Sequence, residues 1–266
     1  MKLFISSDIE GTTGIVNWEE TEAGTKGDYS YFKDQMTREV IAACQGASEA
    51  GCDDILVKDA HGWGRSINPR CLPLNARINR DWAGDLMSMA SGLDESFDAM
   101  AFTGYHDAAS SPGNPLSHTY TLSIAKMTIN GALASEFMMF AYAAGMLKVP
   151  VVFLSGDAGV CARARALVPG IETVETNVGV GQGSTSIHPD LAVQKIKEGM
   201  KKALSKDLSS CLVKMPESFD IRITYTTHMK AYSRHFYTGA WLEDDVTLGY
   251  KTDSYLEFLR FFHFVK

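Results

Sequence analysis

No apolar run in this sequence is long enough to cross a membrane, and the apolar opening Met1 to Ile5 turns acidic too soon for a signal peptide. The five cysteines, Cys44, Cys52, Cys71, Cys161 and Cys211, are scattered and form no C-x-x-C pair. That excludes a zinc ribbon or a dithiol redox motif and points to a reducing cytoplasm. Basic clusters are also missing. Lys201-Lys202 is only a short pair on a helix face, and a net charge of -7 argues against general affinity for nucleic acid. There is no Walker A loop, no G-x-S-x-G elbow and no H-E-x-x-H helix. Gly179, Gly181 and Gly183 depart from G-x-G-x-x-G and open directly onto no helix, which argues against a dinucleotide site. Repeats and low-complexity segments are absent.

What remains is an ordinary globular composition. The 266 residues are 45% hydrophobic, and the mean hydropathy is -0.09. This suits a single domain over 1–266, with residues 210–266 able to form a smaller C-terminal lobe.

The first eleven residues, Met1 to Gly11, are an apolar, β-prone run that ends in Asp8 and Glu10 and then a glycine. Side chains alternate along a strand, so the two carboxylates share a face if the extended conformation persists. Like charges so placed need a cation between them, either a divalent metal or an Arg or Lys; a solvated acidic turn is the plainer alternative. Residues 11–28 read as a loop. Phe32, Met36, Val40, Cys44 and Ala47 recur at helical spacing from about Tyr29, and Gly51 stands at the C-terminal cap. A buried strand over 54–58 leads into Asp59-Ala60-His61. Strand, helix and strand make a βαβ unit, hence parallel strands whose C-terminal ends share an edge.

The pattern continues with a weak helix over 85–97 and a strand from Ala99 that ends at Gly104-Tyr105-His106. Residues 107–118 form a Gly- and Pro-containing loop that closes on Ser117-His118. A strand is expected from Thr119 to Ile129, a turn at Asn130-Gly131, and an apolar helix over 133–147. Further strands are expected at 151–154, about 172–176 and about 219–226. Helices are expected after Asp157, from His188-Pro189-Asp190, in a patch after the last strand, and from about Ser254. The fold class is therefore α/β, a mostly parallel central sheet flanked by helices with a smaller C-terminal α+β portion.

Asp8 and Glu10, His61, and His106 all fall at C-terminal strand ends, where open α/β sheets place their ligands. Imidazoles and carboxylates together suit zinc or a similar first-row ion. A lone histidine after a strand is more often a satisfied loop residue, so it is their agreement in position that carries weight. Glu136 is the only charged residue in the apolar stretch from Met127 to Leu147. A buried carboxylate must be paired, protonated or metal-bound, or else must cap the helix. His118 could act as acid, base or oxyanion stabiliser, or be a surface residue hydrogen-bonded to Ser117 or the backbone. His228 and His235 read as surface residues, His263 as a packed or interface side chain, and Cys161 as lacking a paired histidine.

In order, Ser6-x-Asp8-x-Glu10-Gly11, Asp59-Ala60-His61, Gly104-Tyr105-His106, Pro112-Gly113 before Ser117-His118, and then Glu136 resemble the signature of the zinc-dependent D-aminopeptidase family. The motifs lie in roughly the first half of the chain, and the C-terminal quarter carries the resemblance least. The resemblance implies two zinc ions per subunit. Asp8 would bridge them, Glu10 and His61 would complete one site, His106 and Glu136 the other, and His118 would be the catalytic histidine. It also implies a ring-shaped homodecamer of two pentamers with active sites facing an internal channel. The function implied is a cytoplasmic aminopeptidase that hydrolyses the N-terminal residue of small peptides or amino-acid amides, D-specific, through a water activated by two metals. Partners would be the small peptide substrate and further copies of the chain, with no nucleic acid and no membrane. Two other readings use the same residues: a di-metal amidase or phosphoesterase, and a non-catalytic α/β protein whose acidic edge holds a ligand or structural metal.

Overall fold

A computed structural model describes residues 1–24 and 28–266. Strand β1 (Lys2–Ser7) leads through α1 (Tyr29–Glu49) to β2 (Asp54–Asp59), the expected βαβ unit. Of the loop expected over 11–28, residues 25–27 lie outside the described residues; Trp18–Glu20 form a 3-10 turn capped by Asn17. There follow β3 (Ala76–Asn79), β4 (Ala99–Tyr105), β5 (Ile124–Ile129), β6 (Ala132–Leu133), α2 (Glu136–Met146) and β7 (Val151–Asp157). The chain continues with α3 (Ala158–Leu167), β8 (Glu172–Val180), β9 (Gly183–Ser186) and α4 (Pro189–Leu204). It closes with β10 (Phe219–Tyr225), α5 (His228–Arg234), β11 (Trp241–Leu242), β12 (Thr247–Thr252) and α6 (Tyr255–Val265).

The main sheet has the order β3-β2-β1-β4-β7-β8-β9, parallel except for the β9 edge. Its central strands β4 and β7 are buried at every residue, as strands covered on both faces must be. From β1 the chain winds outward through α1 to β2; from β4 it winds the other way through α2 to β7 and through α3 to β8. Right-handed crossovers in opposite directions put α1 on one face and α2 and α3 on the other. Helix α4 returns to pack on α1. The winding reverses between β1 and β4, the place where such sheets open a ligand crevice.

A second, antiparallel sheet has the order β11-β12-β10-β5-β6. Phe219, Ile221, Ile223 and Tyr225 of β10 are buried and alternate with half-buried residues, so this sheet packs through one face. The C-terminal strands thus pair with β5 and β6 from mid-chain, and β5 belongs to this sheet and not to the parallel one.

Several boundaries differ from expectation. The segment 85–97 forms only the 3-10 turn Ser88–Ala90, because the Asp85 carboxylate accepts from Ser88 N and Ser91 Oγ and Ser88 sits at φ 49°, which no α-helix can continue. The strand expected from Thr119 starts at Ile124, since Tyr120 at φ 65° breaks the extended run. Helix α2 starts at Glu136 and not at 133, because the Ser135 hydroxyl caps it by accepting from Met138 N. Gly179 to Gly183 belong to the β8–β9 hairpin. Strands β3, β6, β9, β11 and β12 are not among the expected strands.

Candidate metal centre

Strand β1 ends at Ser7, so Asp8 and Glu10 do not meet by strand alternation. Beyond Ser7 the chain turns, with Thr12 N donating to Ile9 O. Asp8 N and Gly11 N still donate to Thr103 O and Gly104 O, both at 2.8 Å, so the turn stays stitched to β4. This crossing is tight. A Cβ on Gly104 would lie 2.2 Å from the Asp8 carbonyl, and Gly104 has φ 68°, a conformation that glycine alone adopts at little cost. The turn brings both carboxylates to one imidazole: His61 Nδ1 lies 3.3 Å from Asp8 Oδ1 and 3.2 Å from Glu10 Oε1.

His61 follows β2, where Ala60 N extends the ladder to Ser7 O at 2.8 Å. Its other nitrogen, Nε2, lies 3.0 Å from the Thr21 carbonyl, which can only accept; Nε2 therefore carries the proton and Nδ1 offers its lone pair. His106, at the end of β4, repeats the device. Its Nδ1 donates to Asp107 O at 2.9 Å, leaving Nε2 at 3.5 Å from Asp8 Oδ2 and 3.6 Å from Glu136 Oε2. Glu136 opens α2, where the helix dipole favours a negative charge, and its Oε1 accepts from Tyr120 N at 2.5 Å. Both expectations for Glu136, a helix-terminal charge and a cluster member, thus apply to it. His118 Nδ1 donates to Leu116 O at 2.9 Å, and its Nε2 lies 3.7 Å from Glu136 Oε1 and 4.0 Å from Glu10 Oε1. Its side chain is only 12% exposed, so it is not a surface histidine.

All six sequence candidates, Asp8, Glu10, His61, His106, His118 and Glu136, therefore meet at the switch point between β1 and β4. Burial and the Glu10 charge raise the Asp8 carboxyl well above its usual range. Burial would raise Glu10 too, but the charges of His61 and His106 hold it well below. For His61 and His106 burial works downward, yet the facing carboxylates lift both imidazoles well above their usual value. His118 is lowered, by burial and then by His106.

These directions describe imidazole lone pairs aimed at carboxylates, an arrangement that needs a proton or a metal between the atoms. His106 Nε2 and Glu10 Oε2 are buried with no hydrogen-bond partner among the described residues. Tetrahedral zinc with ligands at about 2.0–2.1 Å sets its donor atoms roughly 3.3 Å apart, and the facing donor atoms of Asp8, Glu10 and His61 lie at 3.2 and 3.3 Å. The donor set fits zinc. Asp8, Glu10 and His61 make one compact group and Asp8, His106 and Glu136 another, with Glu10, His106 and His118 a third combination. The two oxygens of Asp8 face opposite groups.

The family model for D-aminopeptidases (peptidase M55) matches residues 1–264. The chain belongs to the D-aminopeptidase family. It is 33% identical over 175 residues to a D-aminopeptidase of Bacillus subtilis (strain 168), a match over 65% of this chain and 62% of that protein. The alignment thus spans less than two thirds of the relative's length. In fold it matches the zinc-dependent D-aminopeptidase DppA from Bacillus subtilis, described as a self-compartmentalizing protease. That match has a TM-score of 0.91 and 24% identity, over 100% of this chain and 96% of the other.

In this family member the cluster opens into a cavity of about 430 Å³. Its walls include residues that the sequence did not single out, among them Trp18, Trp82, Tyr120 and Lys266, together with His263, read above as a packed or interface side chain. Trp18 meets the His118 ring edge-on at 5.1 Å. Trp82 is held by its indole N–H on Gly62 O at 2.7 Å and by the buried Lys58 ammonium over its ring at 4.5 Å. Aromatics in Gly-rich loops beside the histidines were the available signal. His228 is exposed and takes no part in the cavity, and Cys161 is a buried free thiol on the inner face of α3.

Proposed function

We propose that the chain is a zinc-dependent aminopeptidase that removes the N-terminal residue from small peptides or amino-acid amides, with D-residues preferred. Two zinc ions per chain would be held by Asp8, Glu10 and His61 and by Asp8, His106 and Glu136, with Asp8 shared. The observation that carries this reading is Asp8 itself, whose two carboxylate oxygens face His61 and His106 at 3.3 and 3.5 Å. Family membership over residues 1–264 supports the class of reaction.

When bound, zinc supplies a Lewis acid that lowers the pKa of water and polarises a carbonyl. The protein's own groups supply the rest. Glu10, whose Oε2 has no hydrogen-bond partner among the described residues, can receive the substrate's free amino group or take a proton from the attacking water. His118, its Nδ1–H tied to Leu116 O and its pKa lowered, presents the Nε2 lone pair to the cavity, where it can take a proton from the attacking water and then, as imidazolium, stabilise the oxyanion or pass that proton to the leaving amine. Trp18 and Trp82 wall the site. Arg163 Nε donates to Asp107 Oδ1 at 2.5 Å, and Asp107 N donates to Asp157 Oδ2 at 2.8 Å, bracing the start of the 107–118 loop.

The likeness in fold to a self-compartmentalizing protease supports self-association, and a ring-shaped homodecamer is the assembly we propose. The five cysteines are all free, in keeping with a reducing cytoplasm. Among the described residues no helix is long and apolar enough to cross a membrane. The domain organisation we propose is a single metallopeptidase domain over 1–266.

The deciding experiment is metal analysis of the purified protein alongside hydrolysis of D- and L-alanyl amides and phosphoesters. Close to two zinc ions per chain and faster release of D-alanine are expected. Phosphoester turnover in place of amide turnover would convert the reading to a di-metal phosphoesterase. Retained metal without any turnover would make this a binding protein.

A further inference from the structure

We propose that the Lys266 ammonium and the Tyr120 hydroxyl form a subsite for the free α-carboxylate of a short peptide, in the same cavity as the metal cluster. This rests on the aminopeptidase reading and adds to it a substrate class: peptides short enough for the carboxylate end to reach this lysine. Among the described residues lining the cavity Lys266 is the only lysine or arginine, whereas Asp8, Glu10, Glu22, Asp85 and Glu136 are all acidic. None of the lysine ion pairs among the described residues involves Lys266. Its ammonium donates to Tyr120 Oη at 2.5 Å and lies 4.2 Å from that ring's centroid. An ammonium has three donors, so two remain for an anion.

Tyr120 joins the two ends of the site. Its backbone N–H holds Glu136 Oε1 at 2.5 Å, while its hydroxyl meets Lys266 and, at 2.9 Å, Ser88 Oγ. The metal cluster and the lysine are therefore one tyrosine apart. An extended dipeptide spans about 7 Å, the scale of that residue from backbone nitrogen to hydroxyl. A substrate of that length, held by its amino group at the cluster, is the class whose carboxylate Lys266 would receive in the same cavity.

The subsite is built under strain and braced. Ser88 and Tyr120 both adopt left-handed backbone conformations, φ 49° and 65°, although neither is glycine. Such conformations cost free energy and persist where the surroundings hold them. Here their hydroxyls meet each other at the lysine. The end of α6 is pinned as well: Tyr225 Oη donates to Val265 O at 2.7 Å and Arg234 Nη2 to Lys266 O at 3.4 Å. Phe262, one turn before Lys266, packs edge-on against Tyr120 at 5.3 Å. A lysine serving only to cover the tyrosine ring would discriminate no substrate.

The test compares kcat/KM for D-alanyl-glycine and D-alanyl-glycinamide, with zinc-loaded wild type, Lys266→Gln and Lys266→Arg. Charged hydrogen bonds to a carboxylate should make the wild type prefer the free acid by about tenfold or more. Lys266→Gln should lose that preference, chiefly through a higher KM for the acid, and Lys266→Arg should keep most of it. If the glutamine variant does not fold, the wild-type ratio and the arginine variant still decide. Equal rates for acid and amide in the wild type, or an undiminished preference in a zinc-replete Lys266→Gln, would overturn the subsite and leave the aminopeptidase reading standing. No turnover of either substrate by zinc-replete wild type would instead overturn the aminopeptidase reading, and the subsite with it.

Discussion

The imidazole rings of His106 and His118 lie stacked, with centroids 4.2 Å apart and planes 8° from parallel. Each donates through Nδ1 to a nearby carbonyl, so both Nε2 atoms look into the carboxylate cluster. The carboxylates lift His106 while burial and His106 itself lower His118. Two like groups pushed apart in this way can divide the work, one held in the cluster and one free to exchange a proton.

His118→Ala should therefore separate metal binding from chemistry. Zinc content is expected to stay near the wild-type level, because the remaining five cluster residues are untouched. The value of kcat should fall by about 10²–10⁴-fold, the usual worth of a positioned acid or base. Metal analysis and steady-state kinetics on the same preparation check this; a loss of zinc in parallel with activity would make His118 a ligand.

His61→Ala should behave in the opposite way. It removes one facing atom from Asp8 and Glu10, leaving two carboxylates side by side without their imidazole. One zinc per chain should be lost, and activity should fall by more than the roughly 10–100-fold typical of losing an outer-shell partner. Activity that survives His61→Ala with full zinc content would show that this cluster is not the catalytic centre.

Gly104→Ala tests the backbone crossing beneath Asp8. The added Cβ would meet the Asp8 carbonyl at 2.2 Å and would sit on a backbone with φ 68°. The neighbour is backbone and cannot swing aside, so about 3 kcal/mol or more of stability should be lost, with weaker zinc binding in whatever remains folded. Chemical denaturation with and without zinc reads both effects.

Glu39→Gln addresses stability away from the cluster. This buried carboxylate on α1 accepts from Thr13 N and Gln35 Nε2, but its Oε2 has no hydrogen-bond partner among the described residues, and burial raises its pKa despite those two bonds. A folded-state pKa above the unfolded one means that the native state binds the proton more tightly. The cost of Glu39 is thus absent below the unfolded pKa, grows as pH rises through the folded pKa, and is complete above it. Glu39→Gln is expected to stabilise the protein by about 1 kcal/mol at neutral pH and to leave stability unchanged in acid. Melting temperatures across that range would show it.

Much of this protein was readable from order along the chain. Apolar periodicity set α1, β1, β2, β4 and β7, because burying one stripe or both faces of an element leaves its mark residue by residue. The βαβ order then implied parallel strands with common C-terminal ends, and so put Asp8, His61 and His106 on one edge. Glu136 stood out as a charge in an apolar stretch. Pairing across long separations left no such mark. That β10 and β12 share a sheet with β5 and β6 was decided by tertiary contact, as was the turn after Ser7 that brings Asp8 and Glu10 together. The tautomers of the three histidines depend on carbonyls of Thr21, Asp107 and Leu116, which only the folded backbone presents. Lys266, at the far end of the chain, reaches the cavity only because α6 packs beside Tyr120. Sequence determined the donor set and its edge of the sheet, since those follow from local pattern. Tertiary structure decided distances, proton positions and which cation lines the cavity, since these depend on groups far apart in the chain.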